Sequence, residues 1–222
     1  METGGIVLMG GGEVGDAELG AWLLSRSRGP RVVALATAAA FDAPEQAMVG
    51  VASWLNALGA EVEGLMVLHR SEAALEEMAQ RVAGADLVYL VDGAALHLRS
   101  TLKGTAVLDG LRHALSDGAL IVASGASAVA LCDPMVDPRG GAPTVGLGLV
   151  TELSVVAHVG SDPDDESGEK FHRGLSLFAS DLPVVALPEK EHVVIASGTV
   201  TLSHGATVYL GGSVRDDLFT RS

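Results

Sequence analysis

The chain has 222 residues, 48% hydrophobic but only 4% aromatic, so a single domain (1–222) with a sizeable core built mostly from Ala, Val and Leu is expected. A formal net charge of −14, from 28 acidic against 14 basic side chains, argues against nucleic-acid and anionic-membrane partners, both of which need clustered Lys and Arg. The lone cysteine, Cys132, excludes an intrachain disulfide, no apolar run nears the ~20 residues of a membrane span, and Ile6–Met9 is too short for a signal peptide, so the expected location is cytoplasmic.

Taken in order, Ile6–Met9 is an apolar run closed by Gly10-Gly-Gly12, which predicts a buried parallel strand. Asp16 is placed to cap a helix with Leu19, Trp22 and Leu23 on one face, stopped by Gly29-Pro30. Arg31–Ala36 predicts a second strand, and Pro44 to Gly59 brackets a helix with Met48, Val51, Trp54, Leu55 and Leu58 inward. Val62–Leu68 is a third strand, Ser71–Val82 a helix, Asp86–Val91 a fourth strand, and Leu98–Leu115 a helical segment interrupted near Gly104. Gly118–Ala123 predicts a fifth strand, followed by small residues through Ser127 and the buried helical start Ala128–Leu131. Strands alternating with helices imply right-handed βαβ units and a mostly parallel sheet with helices on both faces.

Beyond residue 132 the texture changes. Pro134, Pro138, Gly140-Gly141 and Pro143 mark a loop, and Val145–Val150 and Leu153–Val159 predict extended segments. Lys170–Ala179 predicts a helix, and Val184–Leu187, His192–Ala196, Val200–Leu202 and Thr207–Leu210 a hairpin-rich C-terminal part.

Several stretches carry candidate chemistry. A strand that bends sharply into a helix at a serine is a nucleophile elbow, and Ala123-Ser-Gly-Ala-Ser-Ala128 supplies the small residues such a bend needs. His158 ends an apolar run and is a candidate general base. Gly10-Gly-Gly-Glu-Val-Gly15 spells the dinucleotide fingerprint, but the second strand ends in Thr37-Ala38 without the acid that would hold a ribose, so no nucleotide cofactor is expected. Asp162 to Glu169 with His172 is acidic but lacks ligand spacing, so a solvated loop is expected and no metal. Glu189 and Glu191 flank Lys190, and either could orient a histidine.

Together these pieces resemble peptidase family S51, the dipeptidase E and cyanophycinase group. Gly5–Glu13 looks like its opening strand and glycine turn, Val91-Asp-Gly-Ala-Ala-Leu96 like its oxyanion turn, and Leu187-Pro-Glu189 and Ser197–Val200 like later segments. The most specific match is Gly146-Leu-Gly-Leu149 followed by His158. The resemblance implies a three-layer α/β sandwich with a flavodoxin-like, class I glutamine amidotransferase-like sheet. It implies a serine-type hydrolase acting on a small peptide-like, aspartyl-containing substrate, and homodimer formation. The family's Gly-x-Ser-Ala-Gly-Ala admits three registers here: Ser124 as nucleophile, which elbow sterics favour; Ser127, which places Val129 where glycine is wanted; or Gly125 at the nucleophile position, with no serine there. The roles implied are Ser124 (or Ser127) attacking, His158 taking its proton, Glu189 orienting the imidazole, N–H groups of Gly93 and Gly125 beside Ala94 holding the oxyanion, and Arg99 or Arg139 holding an acidic substrate. The alternative from the same resemblance is an inactive relative that serves as a ligand-binding or assembly module, and a remote third is a cysteine enzyme using Cys132.

Overall fold

The computed structural model describes residues 4–160 and 174–222. In chain order its first half runs β1 (Gly5–Met9), α1 (Ala17–Arg26), β2 (Arg31–Leu35), α2 (Pro44–Asn56), β3 (Glu61–Leu65), α3 (Arg70–Ala73), α4 (Glu76–Ala83) and β4 (Leu87–Leu90). Then follow α5 (Ala95–Leu102), α6 (Ala106–Ser116), β5 (Leu120–Ser124) and α7 (Ala126–Leu131). The C-terminal part holds the short strands β6 (Met135–Val136), β7 (Pro143–Thr144), β8 (Ser154–Val156) and β9 (Val184–Ala186). It ends with β10 (His192–Ala196), β11 (Thr199–Leu202), β12 (Thr207–Leu210), β13 (Ser213–Val214) and β14 (Thr220–Arg221).

The main sheet has eight strands in the order β14-β11-β10-β1-β5-β4-β2-β3. Strands β1, β5, β4, β2 and β3 are mutually parallel, and β10 closes antiparallel onto β1. Central strands read as continuous apolar runs because both faces are covered. On β2, Val33 and Leu35 pack with α5 and α6 residues such as Leu98 and Leu108, whereas Val32 and Ala34 pack with Leu23 of α1 and Val51 and Trp54 of α2. This is the three-layer, mostly parallel sandwich expected. The β10–β11 hairpin extends the main sheet, a second sheet has the order β13-β12-β9-β8, and β6 and β7 form a two-stranded antiparallel pair. Among the described residues, no helix is long and apolar enough to cross a membrane.

Several local expectations need correction. The helix expected over Ser71–Val82 is two, α3 and α4, because the Glu72 carboxylate accepts the Leu68 and His69 N–H groups and ties off a separate first turn. Val145–Val150 is not a sheet strand. Its Leu147 N–H donates to the Ala130 carbonyl and its Leu149 and Val150 N–H groups to that of Leu131, so the segment satisfies the end of α7 instead. The acidic loop with His172, and the start of the helix expected over Lys170–Ala179, lie outside the described residues.

Candidate active site

Ligands of parallel α/β sheets bind beyond the carboxyl ends of the strands. Four segments meet there. The first is the glycine turn after β1, and its glycines serve packing. A Cβ on Gly10 would lie 1.9 Å from the Pro188 carbonyl oxygen, and one on Gly11 would lie 2.3 Å from Cε1 of His158. The turn thus forms a floor under the imidazole, while the Glu13 side chain points into the core, fully buried, and accepts the Tyr89 hydroxyl at 2.5 Å. Burial and the neighbouring Glu13 push the Tyr89 phenol well above its usual range. In this turn Gly10 and Gly11 allow the close approach of backbone and ring, a Cβ on Gly15 would meet nothing within 4 Å, and Glu13 is directed inward.

The second segment, at the end of β5, decides the register of the elbow. Gly125 has φ 52° and ψ −121°, the strained conformation that exposes the nucleophile of an elbow, and the residues on either side are ordinary strand and helix. Ser124 is therefore one residue too early. It is 3% exposed at the end of β5, where its side chain works against burial to lower the Tyr89 pKa. Ser127 is one turn too late: fully buried, its hydroxyl donates to the Val91 carbonyl at 2.5 Å. The strained backbone position of the turn is thus Gly125, the third of the registers the sequence admits.

The third segment follows β4. Asp92 sends its carboxylate across to the β5 turn, where Oδ1 accepts the N–H groups of Gly93 and Ala126, each at 2.7 Å. The donor pair of the cradle is thus Gly93 and Ala126, since the Gly125 N–H is committed to the Met9 carbonyl at 3.0 Å. Ala94 stands beside it in the wall of the adjoining pocket.

The fourth segment brings His158, held at a left-handed φ of 58° with its N–H on the Gly10 carbonyl. Its Nε2 lies 2.6 Å from Asp92 Oδ2. The hydrogen bond to Asp92 raises the imidazole above its ordinary pKa against the opposing effect of burial, with Glu189 and Glu13 adding smaller fields. Burial works to raise the Asp92 carboxyl in turn, but the His158, Ala126 and Gly93 hydrogen bonds and the His158 charge outweigh it and leave it below the usual carboxylate value. The partner that orients His158 is therefore Asp92, not Glu189, whose carboxylate lies instead over the glycine turn, 3.1 Å from where a Cβ on Gly12 would stand.

His158 stands between two pockets. One, of about 440 Å³, is walled mainly by apolar groups including Leu96, Val129, Val136 and Val156. The other, of about 600 Å³, is the more polar of the two and includes Asp42, Gln46, Tyr89, Asp92 and Ser124. No Lys or Arg is among the described residues lining either one. Arg99 donates to the Val145 carbonyl at 3.2 Å, and Arg139 closes on Asp137. Cys132 is buried and its thiol is pushed up to about 12 by burial, so it offers no thiolate. Among the described residues, no group of three or more His, Cys, Asp or Glu is arranged to hold a metal ion.

Sequence reasoning missed Asp92 because it sought hydroxyls in one turn. The available signal was an acid directly after a buried strand, followed by glycine, at the carboxyl edge of a parallel sheet.

Comparison with known proteins agrees with this architecture. A crystal structure of a peptidase from an acI-B1 Actinobacterium superposes with a TM-score of 0.79 at 23% identity, covering 96% of this chain and 93% of that one. A peptidase E protein from Listeria monocytogenes EGD-e superposes with a TM-score of 0.70 at 18% identity, covering 90% of this chain and 98% of that one. At these identities the likeness is one of fold. No curated protein matches the chain. The sequence model of peptidase family S51 matches residues 6–203, nearly the whole chain, and the chain belongs to that family.

Proposed function

We propose that this S51 family member binds a small, uncharged peptide-like ligand beside His158 and does not carry out serine-type hydrolysis. The family is one of peptidases, which supports a peptide-shaped site. The observation that carries the reading is the elbow itself. Acyl transfer needs a nucleophile within about 3 Å of its base. Here the elbow residue is Gly125, and the His158 Nε2 is engaged by Asp92. The Ser127 hydroxyl is turned to the Val91 carbonyl, and Ser124 is 3% exposed as the last residue of β5.

The ligand class follows from the walls. The apolar pocket suits an aliphatic or aromatic side chain. An aspartyl side chain would meet Asp42, Asp92 and Asp137 with no Lys or Arg lining either pocket among the described residues and with the His158 imidazole already paired to Asp92, which favours a neutral ligand. The test pairs two measurements on the full chain. A fluorophosphonate probe is expected to leave the protein unlabelled, and short apolar peptides are expected to raise its thermal midpoint saturably while remaining intact.

A second reading has one observation in its favour: Ser124 lines the same polar pocket as His158. In that reading Ser124 is the nucleophile, with Asp92 released from the imidazole. Probe labelling of the wild type that survives Ser127→Ala and disappears in Ser124→Ala would establish it and remove the first.

A further inference from the structure

We propose that the Asp92 side chain is a built-in ligand of the oxyanion cradle. Its carboxylate, delivered from the turn after β4, occupies the space that a nucleophile side chain and an acyl oxygen would share at the turn after β5.

Three independent contacts support this. A Cβ on Gly125 would lie 2.2 Å from Cγ and from both carboxylate oxygens of Asp92, far inside any tolerated approach, so a side chain at 125 and the carboxylate at 92 exclude one another. Oδ1 takes both backbone donors of the cradle, from Gly93 and from the residue after the elbow, which are the donors an elbow turns toward an acyl oxyanion. Oδ2 takes the imidazole at 2.6 Å. One oxygen on two N–H groups and the other on the general base is the arrangement of the acid released by acyl transfer, here formed by the chain's own side chain. The glycine at 125 and the aspartate at 92 thus form one unit: the first leaves the room that the second fills.

This deepens the binding reading and rests on its premise that the elbow carries no hydroxyl. Its consequences are specific. An external carboxylate cannot enter the cradle while Asp92 is there, so a bound ligand must make its contacts in the flanking pockets. Among the described residues, the charged groups acting on the imidazole include Asp92, Glu189 and Glu13, and Asp42 and Asp137 line the pockets beside it, all acidic, which opposes anions by charge as well as by volume.

The test uses the full-length Asp92→Ala protein titrated with sodium formate and sodium acetate, read by the His158 ring signals in NMR and by the thermal midpoint. Removing the carboxylate opens two N–H donors and a histidine to a small anion. A saturable response at least about tenfold stronger than in the wild type is expected, the size of losing a charge-assisted hydrogen bond. An equal response in both proteins, or none in the variant, overturns the proposal. A second comparison covers the case in which Asp92→Ala folds poorly. Gly125→Ser is expected to lower the thermal midpoint more in the native background than in an Asp92→Gly background, and equal losses overturn the proposal. In the double variant the introduced hydroxyl oxygen attacks a fluorophosphonate, the P–O bond forms, fluoride leaves and the proton passes to His158, giving labelling that neither single variant shows. Failure of the binding reading would appear separately, as labelling of the wild type.

Discussion

Two aspartates bracket strand β4, Asp86 just before it and Asp92 two residues past its end, and they are held in opposite ways. Asp86 closes the amino end of the sheet: Arg31 reaches it with Nε at 3.0 Å and Nη2 at 2.8 Å, Arg28 with Nε at 3.1 Å, and its side chain is only 7% exposed. Its partners are guanidiniums, which do not titrate in the accessible range. Asp92, at the carboxyl end, is bound by two backbone N–H groups and by a histidine, and it lines one of the pockets beside that histidine. One carboxylate is fixed by permanent charge and joins α1's exit to β2 and β4. The other is fixed by two backbone N–H groups and by one partner, His158, that can change protonation. Equal residue types on one strand thus divide into an anchor and a centre, and the division follows the identity of the cation.

The largest effect should fall on the anchor. Asp86→Ala leaves two guanidiniums and the Arg31 N–H without their shared acceptor. Because both arginines retain partial solvent access, the expected loss is about 2 kcal/mol rather than the larger cost of a fully buried pair, measured by urea unfolding. A smaller and differently shaped effect is expected at Asp92. The folded pKa of His158 is raised, so its contribution is fully present below the unfolded value near ~6.5 and is lost as pH rises through the folded value. The Asp92 pKa is lowered, so its contribution is present above ~3.8 and is lost as pH falls through the folded value. Asp92→Asn should therefore cost most between about pH 4 and 6.5, on the order of 1 kcal/mol after allowance for solvent screening, and its cost should shrink toward pH 9. Asp86→Asn should show no such decline. Identical pH profiles for the two variants would erase the distinction between anchor and centre.

Third in size comes Ser127→Ala. It removes the buried hydrogen bond to the Val91 carbonyl, with an expected loss of about 1 kcal/mol in the same unfolding assay and no change in the His158 titration. A shift in that titration would mean that the β5 turn senses Ser127 more closely than its buried, core-facing position implies.

How far the sequence foretold this arrangement depends on how local each cause is. Strands β1, β2, β4 and β5 were legible as apolar runs because both faces of each are buried, and the cap at Asp16 was legible because it binds its own helix, at the Glu18 and Leu19 N–H groups. Strand β3 was misjudged at its ends because it is an edge strand, with Glu61 and Glu63 exposed, so no continuous apolar run marks it. Segment 145–150 looked extended but pairs with the end of α7, where a Cβ on Gly146 would lie 1.7 Å from the Cys132 carbonyl oxygen. For the centre, the right neighbourhood was visible, since 93, 125 and 158 were all singled out. Its register was not, because what selects glycine at 125 is a carboxylate thirty-three positions earlier in the chain, and no local pattern encodes that contact.

The finest distinction concerns which acid governs the histidine. Glu189 was the acid expected from sequence to orient the imidazole, whereas Asp92 makes the direct bond and Glu189 acts on His158 only through its field. A field across partly exposed surface is weakened by water and salt, while a hydrogen-bonded ion pair is less so. Glu189→Gln should therefore lower the His158 pKa by less than Asp92→Asn does, and that small shift should fade as ionic strength rises, both read by NMR titration of the ring. The Asp92→Asn shift should persist in salt. If Glu189→Gln proved the larger of the two, the orienting acid would be Glu189 after all, and Asp92 would be a second anchor like Asp86 rather than part of the centre.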